Sequence, residues 1–427
     1  METGVRVVSI TCDGLASNLT LMKLMGASLD TDNLQTELNL TDKGEPINFV
    51  LDNCHLVKLV RNCLGDYKVL KHNGNEIKWE YIAALQLLQE KEGLLVANKL
   101  KKPHINYSKQ IMKVNLAVQT ISSSVAIAID YCRDNLNLPQ FAGSEATTRF
   151  IRIFDKLFDI FNSRNRLGRQ SKQALSQKNF SETLEFLNES VSYIKSLSNI
   201  KGVLLIKCRR KTAFLGYLFN IQSLQSIFQR LILRGQLQYL LTYKLSQDHL
   251  ELFFGAIRAR NGCNNNPTTV QFQSAYKALL THATINGLKG GNCIFQGETE
   301  IETITSNDVQ HYFEDKYSII DKNIDCAMFS RIERLSKLTD LQISVTQYIA
   351  GYVVKKLPKL FDCKICLSTT TLTTRTGLVK VKDWANKLIS PSNDVYLICC
   401  LCEKHMQQQS KIMIKIIFLL LSQNNMS

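Results

Sequence analysis

From Trp79 to about Leu280, apolar residues recur at spacings of three and four, with almost no strand-like alternation. That period places most of the chain in helices that bury one stripe each. Tyr81 to Leu88, Met112 to Ile129, Phe150 to Phe161, Leu184 to Leu197, Ala213 to Leu231 and Leu250 to Ile257 carry it most clearly. What precedes the block has another period. Val5 to Cys12 is rich in β-branched residues and stops at Asp13-Gly14, as a strand running into a turn does. Leu15 to Leu24 reads as a short helix with Gly26 just past its end, Ile47 to Leu51 as a second strand, and Leu56 to Leu64 as an amphipathic helix ending at Gly65. After the block, Gly287 to Ile301 is polar and glycine-rich like a linker, Leu341 to Leu360 resumes the helical period, and a cysteine-bearing tail follows. The predicted architecture is a small α/β piece, a large helical block, a late helix carrying Asp248 and Glu251, and a C-terminal module.

At 427 residues the chain exceeds one ordinary core, so about two or three domains are expected. The apolar fraction of 45% against 21% charged marks a folded protein and not a disordered tail. The net charge of +15 favours polyanionic partners, nucleic acid before an anionic membrane. The opening residues lack the basic and small-residue regions of a secretory signal, and the apolar run Ile412 to Leu421 is interrupted by Lys415 and too short to span a bilayer, so no membrane role is expected. Thirteen cysteines, an odd number, point to reduced thiols in cytosol or nucleus.

Several residues are candidates for chemistry, each with a structural alternative. Asp13, at a strand end, can hold a divalent cation through hard oxygen, or simply make the turn before Gly14. Asp52 reads as an N-cap, with His55 packing near the sheet end. Asp248 and Glu251 are three apart and share a helix face, either as a site or as acids complementing the helix dipole. Cys363 with Cys366 and Cys399 with Cys402 form two C-x2-C pairs that either wrap one tetrahedral zinc, with His405 or Cys400 as a substitute ligand, or are buried thiols. Basic clusters at Lys99 to Lys102, Lys207 to Lys211 and Arg258 to Arg260 read as solvated surface. No Walker-type phosphate loop occurs, so nucleotide binding would need another scheme.

The runs TCDG at 11–14, DNCHLVKLVRN at 52–62, MKVNLAVQTIS at 112–122, LFDIFNSRN at 157–165, TYKLSQDHLELFF at 242–254 and YIAGYVV at 348–354 resemble, in order and approximate spacing, the P-element-type DNA transposases and their THAP-domain relatives. The resemblance implies an α/β plus large-α fold: a partial RNase H-like catalytic domain (1–75), a mostly helical GTP-binding insertion domain (76–240), a returning RNase H-like helix region with the last acid (241–285), and a linker with a C-terminal cysteine module (286–427). It implies DNA cleavage and strand transfer at transposon ends by two Mg²⁺ ions, in a nuclear homo-oligomer. Carried over, the second catalytic acid falls on Asp13, with Asp52 as the fallback, and the last on Glu251. The GTP site falls on Lys113, Val114, Ser122, Phe158, Asp159, Asn162 and Asp248, where Asp159 and Asp248 would accept hydrogen bonds from guanine. GTP would assist assembly and not serve as fuel.

The family's THAP domain, oligomerisation segment and first catalytic aspartate have no counterpart in these residues, so the sequence reads as truncated at its amino end and inactive alone. Val5 to Cys12 would then be a strand without its neighbours, exposing an apolar edge and leaving the chain marginally stable. A domesticated, non-enzymatic DNA- and GTP-binding protein is the competing expectation, followed by a helical interaction protein with a zinc tail.

Overall fold

The structure, a computed structural model, describes residues 6–38, 45–97, 99–260, 262, 264–281, 338–359, 371–372, 377–383, 387–393 and 395–406. The chain forms two compact units. The first gathers Met1–Gln86, Ala97–Asp130 and Pro139–Phe295; the second gathers Leu87–Val96, Tyr131–Leu138 and Gln296–Ser427.

The first unit opens with β1 (Ser9–Cys12), α1 (Ala16–Leu24), a hairpin of β2 (Ser28–Asp30) and β3 (Asn33–Gln35), β4 (Glu37–Leu38) and β5 (Ile47–Leu51). A three-stranded sheet runs β1-β5-β4, with β1 parallel to β5 and β4 antiparallel to it. Every residue of β5 is buried, so the strand is apolar instead of alternating except at Asn48, whose Oδ1 accepts from the Arg230 guanidinium at 2.7 Å. β1, at the edge of the described sheet, is half-buried throughout and begins at Ser9; of the expected strand from Val5, residue 5 lies outside the described residues and residues 6–8 are not in the strand. The parallel register pairs Cys12 with Leu51. The next residues, Asp13 and Asp52, therefore leave the same end of the sheet.

Helix α2 (Asn53–Tyr67) follows β5 and runs past Gly65, ending where Lys68 adopts a φ of 61°. A hairpin of β6 (Val69–His72) and β7 (Asn75–Lys78) comes next. Its two-residue turn, Asn73-Gly74, has φ values of 48° and 85°, the positive pair a tight primed turn requires. A second three-stranded sheet, β7-β6-β8, is completed by β8 (Leu197–Asn199), far along the chain. Three residues are too few to show a period, so the surrounding helical pattern hides β8 in the sequence.

The helical block comprises α3 (Trp79–Glu92), α4 (Lys102–Ile105), α5 (Val114–Thr120), α6 (Ser123–Asp134), α7 (Glu145–Phe161), α8 (Phe180–Ser196) and α9 (Thr212–Phe228). α7 buries a stripe of Phe150, Ile151, Phe154, Leu157, Phe158 and Phe161, as its spacing demands. α9 is buried on most of its circumference because it packs on β5, α2 and α8 together. Gly216 permits that approach: a Cβ there would sit 2.4 Å from a Leu56 methyl. Asn220 of α9 then replaces a strand, accepting the Leu51 N–H and donating to the Leu51 carbonyl, both at 2.7 Å. α10 (Asp248–Arg260) and α11 (Thr269–Thr281) pair through Ala256, Ile257, Ala275 and Leu279.

In the second unit, α12 (Asp340–Lys356) starts at a reciprocal cap between Thr339 and Gln342. The Thr339 hydroxyl also donates to Glu92 at 2.6 Å, and the Tyr131 hydroxyl donates to Ser344 at 2.7 Å. α13 (Gly377–Lys382) and a short antiparallel pair, β9 (Thr371–Leu372) and β10 (Ser390–Pro391), accompany it. Among the described residues no helix is long and apolar enough to cross a membrane.

Candidate functional site

Two strand ends and three helix starts, those of α2, α5 and α10, meet at a cavity of about 140 Å³ in the first unit. Asp13 closes the turn after β1: its Oδ1 accepts the Leu15 N–H at 3.1 Å and an Asn18 amide N–H at 2.6 Å. Asp52 caps α2 as its position suggested, with Oδ2 accepting the His55 N–H at 2.8 Å. Its Oδ1 accepts the Gln247 N–H at 3.1 Å, one residue before α10. Beside it the Thr11 hydroxyl donates to the Leu245 carbonyl at 3.1 Å. These bonds tie the end of the sheet to the approach of α10, and so bring Asp248 and Glu251 to the same cavity as Asp13 and Asp52.

The crowding of carboxylates has electrostatic consequences. Burial pushes Asp52 up to about 6; Asp248 and Glu251 add to the effect, and the two backbone N–H bonds oppose it. Burial and the adjacent Lys58 lower His55, against the pull of Asp13 and Glu251. The Cys12 thiol is pushed up to about 11 by burial and then by Asp13 and Asp52, so it stays protonated. Asp248 has a cationic partner: Arg164 donates to its Oδ2 at 2.6 Å, and the Cys54 thiol approaches its Oδ1 at 3.6 Å.

The residues expected around guanine divide between the cavity wall and positions off it. Val114 and Asp248 line it; Lys113, Ser122, Phe158, Asp159 and Asn162 do not. Val114 and Phe158 pack with Cys54 and Val57 of α2 in one apolar cluster. Asn162 accepts from Arg164 at 3.2 Å, so Asn162, Arg164 and Asp248 form a chain. Lys113 is the N-cap residue of α5, the Ser122 hydroxyl donates to the Gln119 carbonyl at 2.9 Å, and Asp159 faces Lys172 at 3.7 Å. Asp159 is pushed up to about 6 by burial, reinforced by Asp155. The end of α7 is fastened to the segment before α10 by Ser163 and Thr242, whose backbone N–H groups each donate to the other's hydroxyl, at 3.0 and 3.2 Å.

Sequence reasoning did not single out Cys54, Lys58, Met112 or Gln247, all of which line the cavity. Residues 52, 55 and 58 are spaced by three, one face of α2, which was the available signal. Nor did it find the clamp on the Met112 loop. Arg61 is fully buried and donates to the carbonyls of Gln110 at 3.1 Å and Ile111 at 3.3 Å, fixing the turn that leads to Met112 and Val114. Among the described residues no cluster of three or more His, Cys, Asp or Glu side chains is set to hold a metal. Cys363 and Cys366 lie outside the described residues; Cys399 and Cys402 are free thiols, half-buried and exposed.

Known families match along the chain in the same order. Residues 54–174 match the TNP-like GTP-binding insertion domain, 243–277 the TNP-like RNase H C-terminal domain, and 334–422 the C-terminal domain of DNA transposase THAP9. Human DNA transposase THAP9 is 28% identical over 97% of this chain and 47% of its own length. The Transposable element P transposase of Drosophila melanogaster is 29% identical over 72% of this chain and 40% of its own. A solved Drosophila P element transposase strand transfer complex superposes with a TM-score of 0.57 at 29% identity, covering 66% of this chain and 62% of that one. The chain belongs to the P-element-type transposase family. Its segments at 54–174 and 243–277 are thus a GTP-binding-type insertion and an RNase H-type C-terminal region, in a helix-rich fold. This P-element-type chain spans less than half the length of the curated relatives it matches.

Proposed function

We propose that this chain acts on DNA as a P-element-type transposase does, cleaving phosphodiesters and transferring strands with divalent metal at the carboxylate-lined cavity and GTP in the helical insertion. The observation that carries the reading is the meeting of Asp13 and Glu251, from opposite ends of the first unit's sequence, at one cavity. Both supply hard oxygen donors, the chemistry Mg²⁺ requires. Bound there, Mg²⁺ would supply an activated hydroxyl and stabilise the leaving oxygen. Asp13, on a strand end pinned by its turn, and Glu251, on the first turn of α10, would hold it. Asp52 ties the start of α2 to the approach of α10 through its two backbone bonds. Because those bonds occupy the third carboxylate, these residues by themselves should hold metal weakly and cleave slowly.

For GTP, the Asp159 carboxylate can accept from guanine's paired N–H donors in its ionised form, and Val114 with Phe158 offers an apolar face. The RNase H-like parts at 1–75 and 241–285 would flank the insertion at 76–240. The reading brings with it nuclear residence, DNA ends as substrate and assembly of several copies. Zinc at Cys363, Cys366, Cys399 and Cys402 is a further proposal; metal analysis finding no zinc in the purified chain would refute it. The test of the main reading is Mg²⁺-dependent nicking of labelled transposon-end DNA. Wild type should nick, and Asp13→Asn and Glu251→Gln should each fall to background while melting normally. No nicking by wild type, with GTP and DNA still bound, would instead select the non-enzymatic reading, which the occupation of Asp52 by backbone N–H groups favours.

A further inference from the structure

We propose that the Lys58 ammonium is a phosphate contact on the wall of the carboxylate cavity. The proposal rests on the reading of that cavity as a site for phosphate chemistry, and assigns it a residue that the metal-ligand scheme does not include. Lys58 lies on α2, six residues past the Asp52 cap and on the face that carries His55. It is only 8% exposed, and it lines the cavity. Among the described residues it makes no hydrogen bond and no ion pair.

A lysine that deep in a fold is ordinarily paired or neutralised. Lys58 shares one small cavity with Asp13, Asp52, Asp248 and Glu251 and is within ion-pair distance of none of them. Had it served as a counter-ion, an acid would hold it, as Asp248 is held by Arg164 at 2.6 Å. The same Arg164 bond leaves Asp248 compensated, and the two backbone N–H bonds serve Asp52. Cations on Asp13 and Glu251 would turn the remaining field positive, and an ammonium standing on the wall then meets an incoming anion. A compact charge with three donors on a flexible stem fits a non-bridging phosphate oxygen. That oxygen can belong to a DNA phosphodiester or to the triphosphate of a nucleotide.

The test uses the full chain, with Ca²⁺ in place of Mg²⁺ to prevent turnover. Wild type, Lys58→Met and Lys58→Arg are titrated with pyrophosphate, with GTP and with a fluorescent DNA oligonucleotide. Lys58→Met should weaken pyrophosphate and at least one of the other two by about tenfold or more, the weight of one charge-assisted hydrogen bond. Lys58→Arg should recover most of the loss. A loss confined to the oligonucleotide and pyrophosphate, with a salt slope lower by about one phosphate, identifies the phosphodiester; a loss confined to GTP and pyrophosphate identifies the triphosphate.

Binding of all three within twofold of wild type overturns the proposal, as does tighter Ca²⁺ binding by Lys58→Met with phosphate ligands unchanged, the mark of a mere counter-ion. Wild type that holds pyrophosphate through Lys58 but no oligonucleotide keeps the contact and removes the DNA-cleaving reading. With Mg²⁺ restored, a Lys58→Met chain that nicks DNA at the wild-type rate and binds all three probes as wild type does removes the contact and keeps the DNA-cleaving reading; wild type that binds none of the probes removes both. Melting and circular dichroism check the fold, and Lys58→Gln carries the comparison should the methionine variant fail to fold.

Discussion

Asp159 shows how a single side chain can stabilise the wrong state at neutral pH. Burial, and then Asp155, raise it from 3.8 to about 6, while Lys172 opposes them. The folded chain therefore binds more protons than the unfolded one between about pH 4 and pH 6, so this residue's contribution to stability falls as pH rises through that window and stays low above it. Asp52 has the same sign over the same range. Replacing Asp159 by Asn should raise stability at pH 7.5 by about 1–3 kcal/mol and leave it unchanged at pH 4, read from denaturant midpoints. The same variant should lose the proposed guanine contact, measurable as GTP affinity. Arg164 has the opposite effect. Its bond to the buried Asp248 makes Arg164→Met costly, by about 3 kcal/mol. Adding Asp248→Asn should return part of that loss, which a double-mutant cycle would show.

At the level of elements, α9 is the support on which the site is built. β4 pairs only with Ile47 and Asn48 of β5. Further along β5 the backbone of Leu51 is met by the Asn220 side chain instead of a strand. Asn220→Ala would leave a buried N–H and a buried C=O unsatisfied, at about 1–3 kcal/mol for each. Because Asp52 directly follows Leu51, the damage should reach the cavity, and the melting temperature and the DNA-nicking rate should drop together. Gly216→Ala tests the same contact by crowding. Its methyl meets Leu56, itself fully buried, and overpacking should cost about 1–3 kcal/mol in thermal unfolding, against a gain in helix propensity of about 1 kcal/mol.

For the whole molecule, the question is whether Asp13 and Glu251 act as one site. A ligand that binds only the folded chain raises its melting temperature with concentration. Mg²⁺ should therefore raise the melting temperature of wild type, and Asp13→Asn or Glu251→Gln should each remove the shift. A shift that survives either substitution would mean the two carboxylates do not share the ion.

Local physics made some of this legible from sequence. β5 announces itself as a mostly apolar stretch, α1 stops just before Gly26, and Asp52 stands where an N-cap belongs, because each depends on neighbours within a few residues. The Asn73-Gly74 hairpin was legible by the same logic and was passed over. The order of the family motifs along the chain was legible too, and with it the family. Pairing across the chain was not. That β8 joins β6, that Asn220 completes β5, that Arg61 holds the loop before Val114 and that Lys58 faces a carboxylate cavity all depend on contacts between residues tens to hundreds of positions apart. A periodicity records which face of an element is apolar; which distant surface covers it, and which charge that surface brings, is decided only when the chain has folded.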